Sequence, residues 1–315
     1  MQVVPPLPAA VLPAKLQTGK EILDLVKELA ANDPERKLST ELRKTFADKQ
    51  AAYDKWRTQK APMRSDYSSY LEWNDAYDAD TDVYILLRDA LKDAKDAFEL
   101  HNSTTQSQAL KLFEIATHAQ MQLKPLDIFT SGTFTASHKA AKQWVENSIS
   151  PDIVFNNKKK EFGTRIQYSG DSAYYEPNKT RNAGDSFINI EQGDTGAILV
   201  HELGHFIDAE TKLQLPRNTA TTQQRSFDFY SKRTSGDTLE KFADEFPRAG
   251  YPDDAIFKRD KWRRVYTGRY YGGADQGTEI LSMGMQFIYE DAIGFAQSDP
   301  EHFEFTVNAM RGIVP

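Results

Sequence analysis

The sequence predicts an α+β fold, with an all-helical N-terminal part running to about residue 125 and a mixed α+β part from 126 to 315. Three observations carry this expectation. The first hundred or so residues show helical apolar spacing with interspersed charges and almost no glycine. Between Ser131 and Ile190 the texture changes to short β-branched or aromatic pieces punctuated by Gly, Asn and Ser. Helical patterning returns at Thr195 and alternates thereafter with Gly- and Pro-marked loops.

The elements follow in order. Lys20 to Ala31 places Ile22, Leu23, Leu25, Val26 and Leu29 on one helical stripe. Ser39-Thr40-Glu41 opens a second helix carrying Phe46, Tyr53 and Trp56, interrupted near Pro62. A third covers roughly Ser68 to Leu100, with Tyr84, Ile85, Leu86, Leu91 and Phe98 as core positions. A fourth runs from about Gln106 to Leu123, closed by Pro125. Short strands are expected at Ile153-Val154-Phe155, at Thr164 to Tyr168 and at Ser186 to Ile190.

Composition excludes several classes of function. The 315-residue chain has a net charge of −7, and its one cationic run, Lys158-Lys159-Lys160, reads as a solvated turn, so no nucleic-acid partner is expected. Cysteine is absent, which leaves histidine and carboxylates to build any metal site. Met1 to Pro13 is apolar but holds four prolines and no early Lys or Arg, unlike a signal peptide. No apolar run approaches the ~18 residues of a membrane span. A soluble protein of cytoplasmic or virion-associated location is expected, with no membrane partner.

The chemistry lies in Ile198-Leu199-Val200-His201-Glu202-Leu203-Gly204-His205-Phe206-Ile207. Asp194 or Thr195 is expected to cap this helix, and the strand-like Phe187 to Ile190 leads into it. Histidines four apart on a helix lie on one face, so His201 and His205 can reach one Zn²⁺ ion. Glu202 then reaches the water on that ion, as a general base, rather than the ion itself. A catalytic zinc takes three protein ligands and leaves a fourth position open. A metzincin would continue with Gly at 208 and His at 211, where this chain has Asp208 and Thr211. His101, His118, His138 and His302 read as surface or core residues.

The third ligand is therefore expected to be a carboxylate, as in the gluzincins, and two compete. Glu240 lies in Glu240-Lys241-Phe242-Ala243-Asp244-Glu245-Phe246, which resembles the Glu-bearing helix of several gluzincins, and also reads as one more charge on a solvated face. Glu279 lies in Gly277-Thr278-Glu279-Ile280-Leu281-Ser282-Met283-Gly284-Met285, the only carboxylate in an apolar and small-residue stretch. Burying it without a partner would be costly, so Glu279 is favoured. Ser282 and Gly284 are expected to let its helix approach the His201 helix closely.

Three separated pieces resemble the C-terminal part of zinc-peptidase domains found in tailed-phage minor head proteins and related prophage proteins. They are Tyr266-Thr267-Gly268-Arg269-Tyr270-Tyr271, Thr278-Glu279-Ile280-Leu281-Ser282-Met283-Gly284 and Asp299-Pro300-Glu301-His302-Phe303-Glu304-Phe305. The resemblance covers roughly residues 130 to 315 and not the helical N-terminal part. It implies a zincin-like domain with a small mixed sheet and an active-site helix, and Glu279 as third ligand. A tyrosine shortly before the ligand Glu is similar to the lethal-factor-like gluzincins, which implies that Tyr271 stabilises a developing oxyanion; Tyr270 and Tyr266 are alternatives, and plain packing is another. The strand Ser186 to Ile190 is expected at the sheet edge, receiving an extended peptide. Ser282 and Asp208 are expected to orient a ligand histidine through its second ring N–H.

The function expected is a zinc endopeptidase acting on a protein or peptide substrate, with the helical 1–125 segment docking on a protein partner or serving targeting or regulation. The alternatives are a phage-derived assembly protein that keeps the fold as an interaction module, and a toxin or effector peptidase.

Overall fold

The first helix starts where Thr18 and Glu21 cap each other: the Glu21 N–H donates to Thr18 Oγ1 at 3.3 Å and the Thr18 N–H to Glu21 Oε2 at 2.7 Å. α1 spans Gly19–Ala31. It belongs to a computed structural model that describes residues 18–33, 35–118, 134–149, 153–155, 165–168, 173–176, 187–191, 194–213 and 221–313. Met1 to Pro13, Pro125, Lys158 to Lys160 and the His118 side chain lie outside the described residues.

α2 (Arg36–Arg57) and α3 (Tyr70–His118) form an antiparallel hairpin. Phe46 stacks on Phe98 and Trp56 packs on Tyr84. The two helices expected at Ser68–Leu100 and Gln106–Leu123 are one helix of 49 residues, roughly 70 Å long at 1.5 Å per residue. His101-Asn102-Ser103-Thr104-Thr105 holds weak helix formers but neither Gly nor Pro, and tertiary contacts override weak propensity. Asn102 is buried there and accepts a hydrogen bond from Arg43. Leu71, Leu86 and Leu100 remain exposed along α3.

The segment after residue 134 starts with a helix that the sequence reading assigned to strands and turns. α4 (Ala136–Ser148) is capped by Thr135, whose Oγ1 accepts from the His138 N–H at 3.1 Å. Ala141, Trp144, Val145 and Ser148 share its buried face, a 3.6-residue period masked by the polar residues around it.

Four short strands follow: β1 (Ile153–Phe155), β2 (Arg165–Tyr168), β3 (Tyr174–Glu176) and β4 (Phe187–Ile190). The motif helix is α5 (Gly196–Glu210), and β5 (Thr211–Leu213) pairs antiparallel with β1. β2, β4 and β3 form a mixed sheet in that order, β4 running parallel to β2 and antiparallel to β3. This corrects the expectation for Ser186 to Ile190: β4 is the central strand, its ladders occupied on both sides, and the edges are β2 and β3.

α6 (Thr222–Arg233) precedes a third small sheet, β6 (Leu239–Lys241), β7 (Ile256–Lys258) and β8 (Arg269–Tyr270), with the one-turn α7 (Phe242–Glu245) after β6. The chain ends in α8 (Ile280–Ser298) and α9 (Pro300–Met310). The molecule is mostly helical with small sheets, an α+β arrangement. Among the described residues no helix is long and apolar enough to cross a membrane.

One apolar core crosses the boundary expected near residue 125. Ile22 and Val26 of α1 and Leu112 and Phe113 of α3 join Leu199, Leu203, Ile280, Met283, Phe303 and Val307 in a single cluster. The hairpin is tied back as well. Arg248 donates to the carbonyls of Gln59 and Lys60, pairs with Asp80 and lies 4.5 Å over Trp56.

α8 breaks its helical geometry at Asp291 (φ −162°, ψ 77°). Gln106 of α3 fills the break: its Nε2 donates to the Ile288 and Tyr289 carbonyls, both at 2.9 Å, and its Oε1 accepts from the Ala292 N–H at 3.0 Å. Asp291 is buried and held by Arg43 and Arg263. The backbone groups freed by the kink thus find partners.

α5 and α8 cross at glycine. A Cβ on Gly204 would lie 2.6 Å from Ser282 Cα, so the backbones could not approach as they do. Ser282 is at this crossing as expected, whereas Gly284 faces α9, where a Cβ would collide with Thr306. Gly204→Ala is expected to destabilise the protein by about 1–3 kcal/mol through overpacking, read as a lower denaturant midpoint; an unchanged midpoint would show that the crossing can relax freely.

Candidate metal centre

Both histidines of the motif come from the middle of α5, where the chain is anchored before the helix begins. The Gly196 N–H donates to Ser137 Oγ of α4 at 3.0 Å, and the Thr195 carbonyl accepts from Ile198. The Asp194 side chain accepts from the Glu191 N–H at 2.7 Å. The buried His138 ring donates from Nε2 to the Asp194 carbonyl at 2.8 Å. Leu199, Val200, Leu203 and Ile207 are fully buried, so the back of α5 is locked into the core while His201 and His205 face away from it.

Glu279 reaches the same point from the residue before α8. It is 0% exposed, in agreement with its apolar sequence surroundings. Its Oε2 lies 3.3 Å from His201 Nε2 and 3.1 Å from His205 Nε2, and the two ring nitrogens are 3.1 Å apart. Three donors bonded at 2.0–2.1 Å to a tetrahedral ion would be about 3.4 Å apart. The three atoms therefore come close to one face of a tetrahedron around zinc, and the donor set (two imidazoles and a carboxylate) suits that ion. Among the described residues this is the one group of three or more potential ligands brought together.

The carboxylate is fixed on both oxygens. Ser282 Oγ donates to Oε2 at 3.1 Å, and the Tyr271 hydroxyl donates to Oε1. Burial works against a charged Glu279, but His205 and His201 outweigh it and hold the carboxyl well below its ordinary range. Burial likewise opposes a charge on His205, while the Glu279 carboxylate more than compensates and raises it.

Glu202 is buried at 5% exposure and makes no hydrogen bond with any described residue. Burial raises its carboxyl above the ordinary range, against the pull of His205 and His201 and with the help of Glu279. An unpaired carboxylate of raised proton affinity, one position after a ligand histidine, has the properties of a general base.

Glu240 lies elsewhere. It sits on β6 rather than on a helix, and both its oxygens are taken by Arg259 at 2.8 and 3.1 Å. Of the two sequence readings, the charge on a solvated face is the nearer one, though on a strand and paired with Arg259. Asp208 and Ser282 do not touch the ring N–H of a histidine. Asp208 is buried and accepts from Ser226 Oγ of α6 at 2.6 Å, its carboxyl pushed up to about 6 by burial. Ser282 holds the carboxylate ligand instead.

No family model, no curated protein and no solved structure matches this chain. The reading of the centre thus rests on its own geometry.

Several contributors escaped the sequence reading. Arg269 donates to the Tyr266 hydroxyl at 2.8 Å and lies 4.7 Å over the Tyr271 ring, aligning both phenols. Tyr266 itself stands 6.4 Å from the His201 ring. His302 is fully buried, its proton affinity lowered by burial to about 4, and donates from Nε2 to the Ile280 carbonyl at 2.7 Å. It pins α9 to the residue after Glu279. Asp299 caps the helix that carries it, accepting from the His302 N–H at 3.2 Å.

Proposed function

We propose that the chain is a zinc-dependent endopeptidase of the gluzincin type on a zincin-like domain, with His201, His205 and Glu279 as metal ligands and Glu202 as general base. The observation that carries this reading is the convergence of two imidazole nitrogens and one buried carboxylate oxygen, with the unpaired Glu202 next in sequence to His201. Zinc held there would make a water acidic near neutral pH and polarise a peptide carbonyl.

The rest is the work of this chain's own side chains. Glu202 accepts the proton of the attacking water and returns it to the leaving amine nitrogen, a transfer favoured by its raised proton affinity. Ser282 and Tyr271 hold Glu279 in one orientation, so that Oε2 and not Oε1 faces the histidines. A closed structural site would need a fourth protein ligand and no base; among the described residues the cluster has three members, and Glu202 stands beside it.

Tyr271 separates two roles within this reading. If its hydroxyl chiefly orients Glu279, Tyr271→Phe lowers zinc affinity by about 10–100-fold, measured by competition with a chromogenic chelator. If it chiefly stabilises an oxyanion, zinc affinity stays and turnover of an unfolded protein substrate falls. The bond to Glu279 favours the first result. Wild-type protein that binds no zinc in the same titration would end the peptidase reading.

A further inference from the structure

α6 carries one buried arginine, Arg225, and one half-buried, Arg233, and the fold treats them differently. Arg233 pairs with Asp260 at 2.6 Å and with Asp299 at 2.8 Å. Arg225, two turns earlier and 8% exposed, has no hydrogen-bond partner on Nε, Nη1 or Nη2 among the described residues. The nearest acidic residue on its helix, Asp228, is exposed and accepts from Gln224 Nε2 at 2.8 Å. Arg248, similarly buried, has Asp80 and two carbonyls. A guanidinium brings five donors and a fixed charge, and leaving it buried without an anion is costly. The other two show how this fold meets that cost, whereas among the described residues no anion is hydrogen-bonded to Arg225, and Asp228 acts on it only through its charge.

The place of Arg225 says where an anion would be held. The buried face of α6 consists of Thr222, Arg225, Ser226 and Tyr230. Ser226 bonds Asp208, one turn beyond His205 on α5. Tyr230 donates to the Gly268 carbonyl at 3.0 Å. In the first turn, Gln223 packs within 3.5 Å of a Cβ built on Gly277, the left-handed glycine (φ 84°) two residues before Glu279. The residues on either side of Arg225 in sequence thus meet the motif helix, through Ser226, and the turn that delivers the third ligand, through Gln223.

We infer that Arg225 receives a carboxylate of the substrate beside the metal centre, either an acidic side chain or the terminal carboxylate of a peptide. The planar fork matches a carboxylate with two parallel hydrogen bonds. The assignment of that carboxylate to a peptide rests on the peptidase reading; the anion site itself does not.

The test uses three small probes on the full chain, none requiring turnover: N-acetyl-glutamate α-amide, N-acetyl-glycine and N-acetyl-glutamine α-amide. Binding is followed by NMR titration of wild type, Arg225→Met and Arg225→Lys, with zinc content and melting temperature recorded for each. One of the carboxylate probes is expected to bind wild type about tenfold more tightly than the neutral amide, and Arg225→Met to lose that preference. Preference for the first probe assigns an acidic side chain, and for the second a chain terminus. Arg225→Met is expected to melt no lower than wild type, since an unpaired charge has been removed; if it does not fold, Arg225→Lys must weaken carboxylate binding several-fold. Equal binding of all three probes to wild type overturns the inference, as does a preference that survives in the variants. Wild type without zinc would refute the peptidase reading separately, with the carboxylate site still decided by the probes.

Discussion

Glu202→Gln is expected to keep stoichiometric zinc and to lower kcat by about 10²–10⁴-fold, the usual range for a positioned general base. The amide has nearly the shape of the carboxylate, so neither the packing of α5 nor the converging atoms of His201, His205 and Glu279 should change. What disappears is an acceptor for the proton of the attacking water. In the protein this carboxylate is 5% exposed and unpaired among the described residues, and burial raises its proton affinity, so it is not spent on holding the fold together. Initial rates on an unfolded protein substrate, with metal content measured on the same samples, decide the matter. A variant that cleaves as well as wild type would rule Glu202 out as the base, and loss of zinc together with activity would make it a ligand or a scaffold residue.

Glu279→Ala should remove zinc from the protein, from near one ion per chain to near none, while Glu240→Ala leaves it in place. The asymmetry is geometric. Glu279 Oε2 is the atom that both imidazoles face, and a two-histidine site lacks the third ligand that catalytic zinc requires. Glu240 is engaged by Arg259 beside the β6–β7 pair, and its loss should cost no more than an exposed ion pair does, about 0–1 kcal/mol. Elemental analysis of the three proteins purified in parallel gives the answer, with circular dichroism to exclude unfolding of Glu279→Ala. Retention of zinc by a folded Glu279→Ala would sink the assigned ligand set, and the absence of zinc from wild type even after adding it back would remove the metal altogether.

Much of the centre was legible before folding because its chemistry is local. The four-residue spacing of His201 and His205 sets both rings on one helical face whatever the surroundings. Glu279 stood out as a lone charge among Ile280, Leu281, Met283 and Met285, and its complete burial follows from that company. Tyr271 was picked out by its neighbourhood, yet its bond to Glu279 Oε1 depends on how the Gly272 to Thr278 turn brings the two together. Arg225 carried no signal in the sequence. That none of its three nitrogens meets a partner among the described residues is visible only in the tertiary structure.

The same division runs through the fold. Apolar periodicity over ten to twenty residues and side-chain chemistry at fixed spacing come from the chain itself, and they determined α1, α2, the motif helix α5 and the burial of Glu279. α4 was also written in that code, with its Thr135 cap and its Ala141–Trp144–Val145–Ser148 face, but short of the length at which period alone is decisive. Tertiary structure alone decided the rest: that α3 continues through Asn102 to His118, that β4 is central and not an edge, that Gln106 closes the break in α8 across more than 180 residues of sequence, and that one core joins α1 and α3 to α8 and α9. Each of these depends on which distant groups meet, and a buried backbone or charged group is stable only where such a partner is supplied.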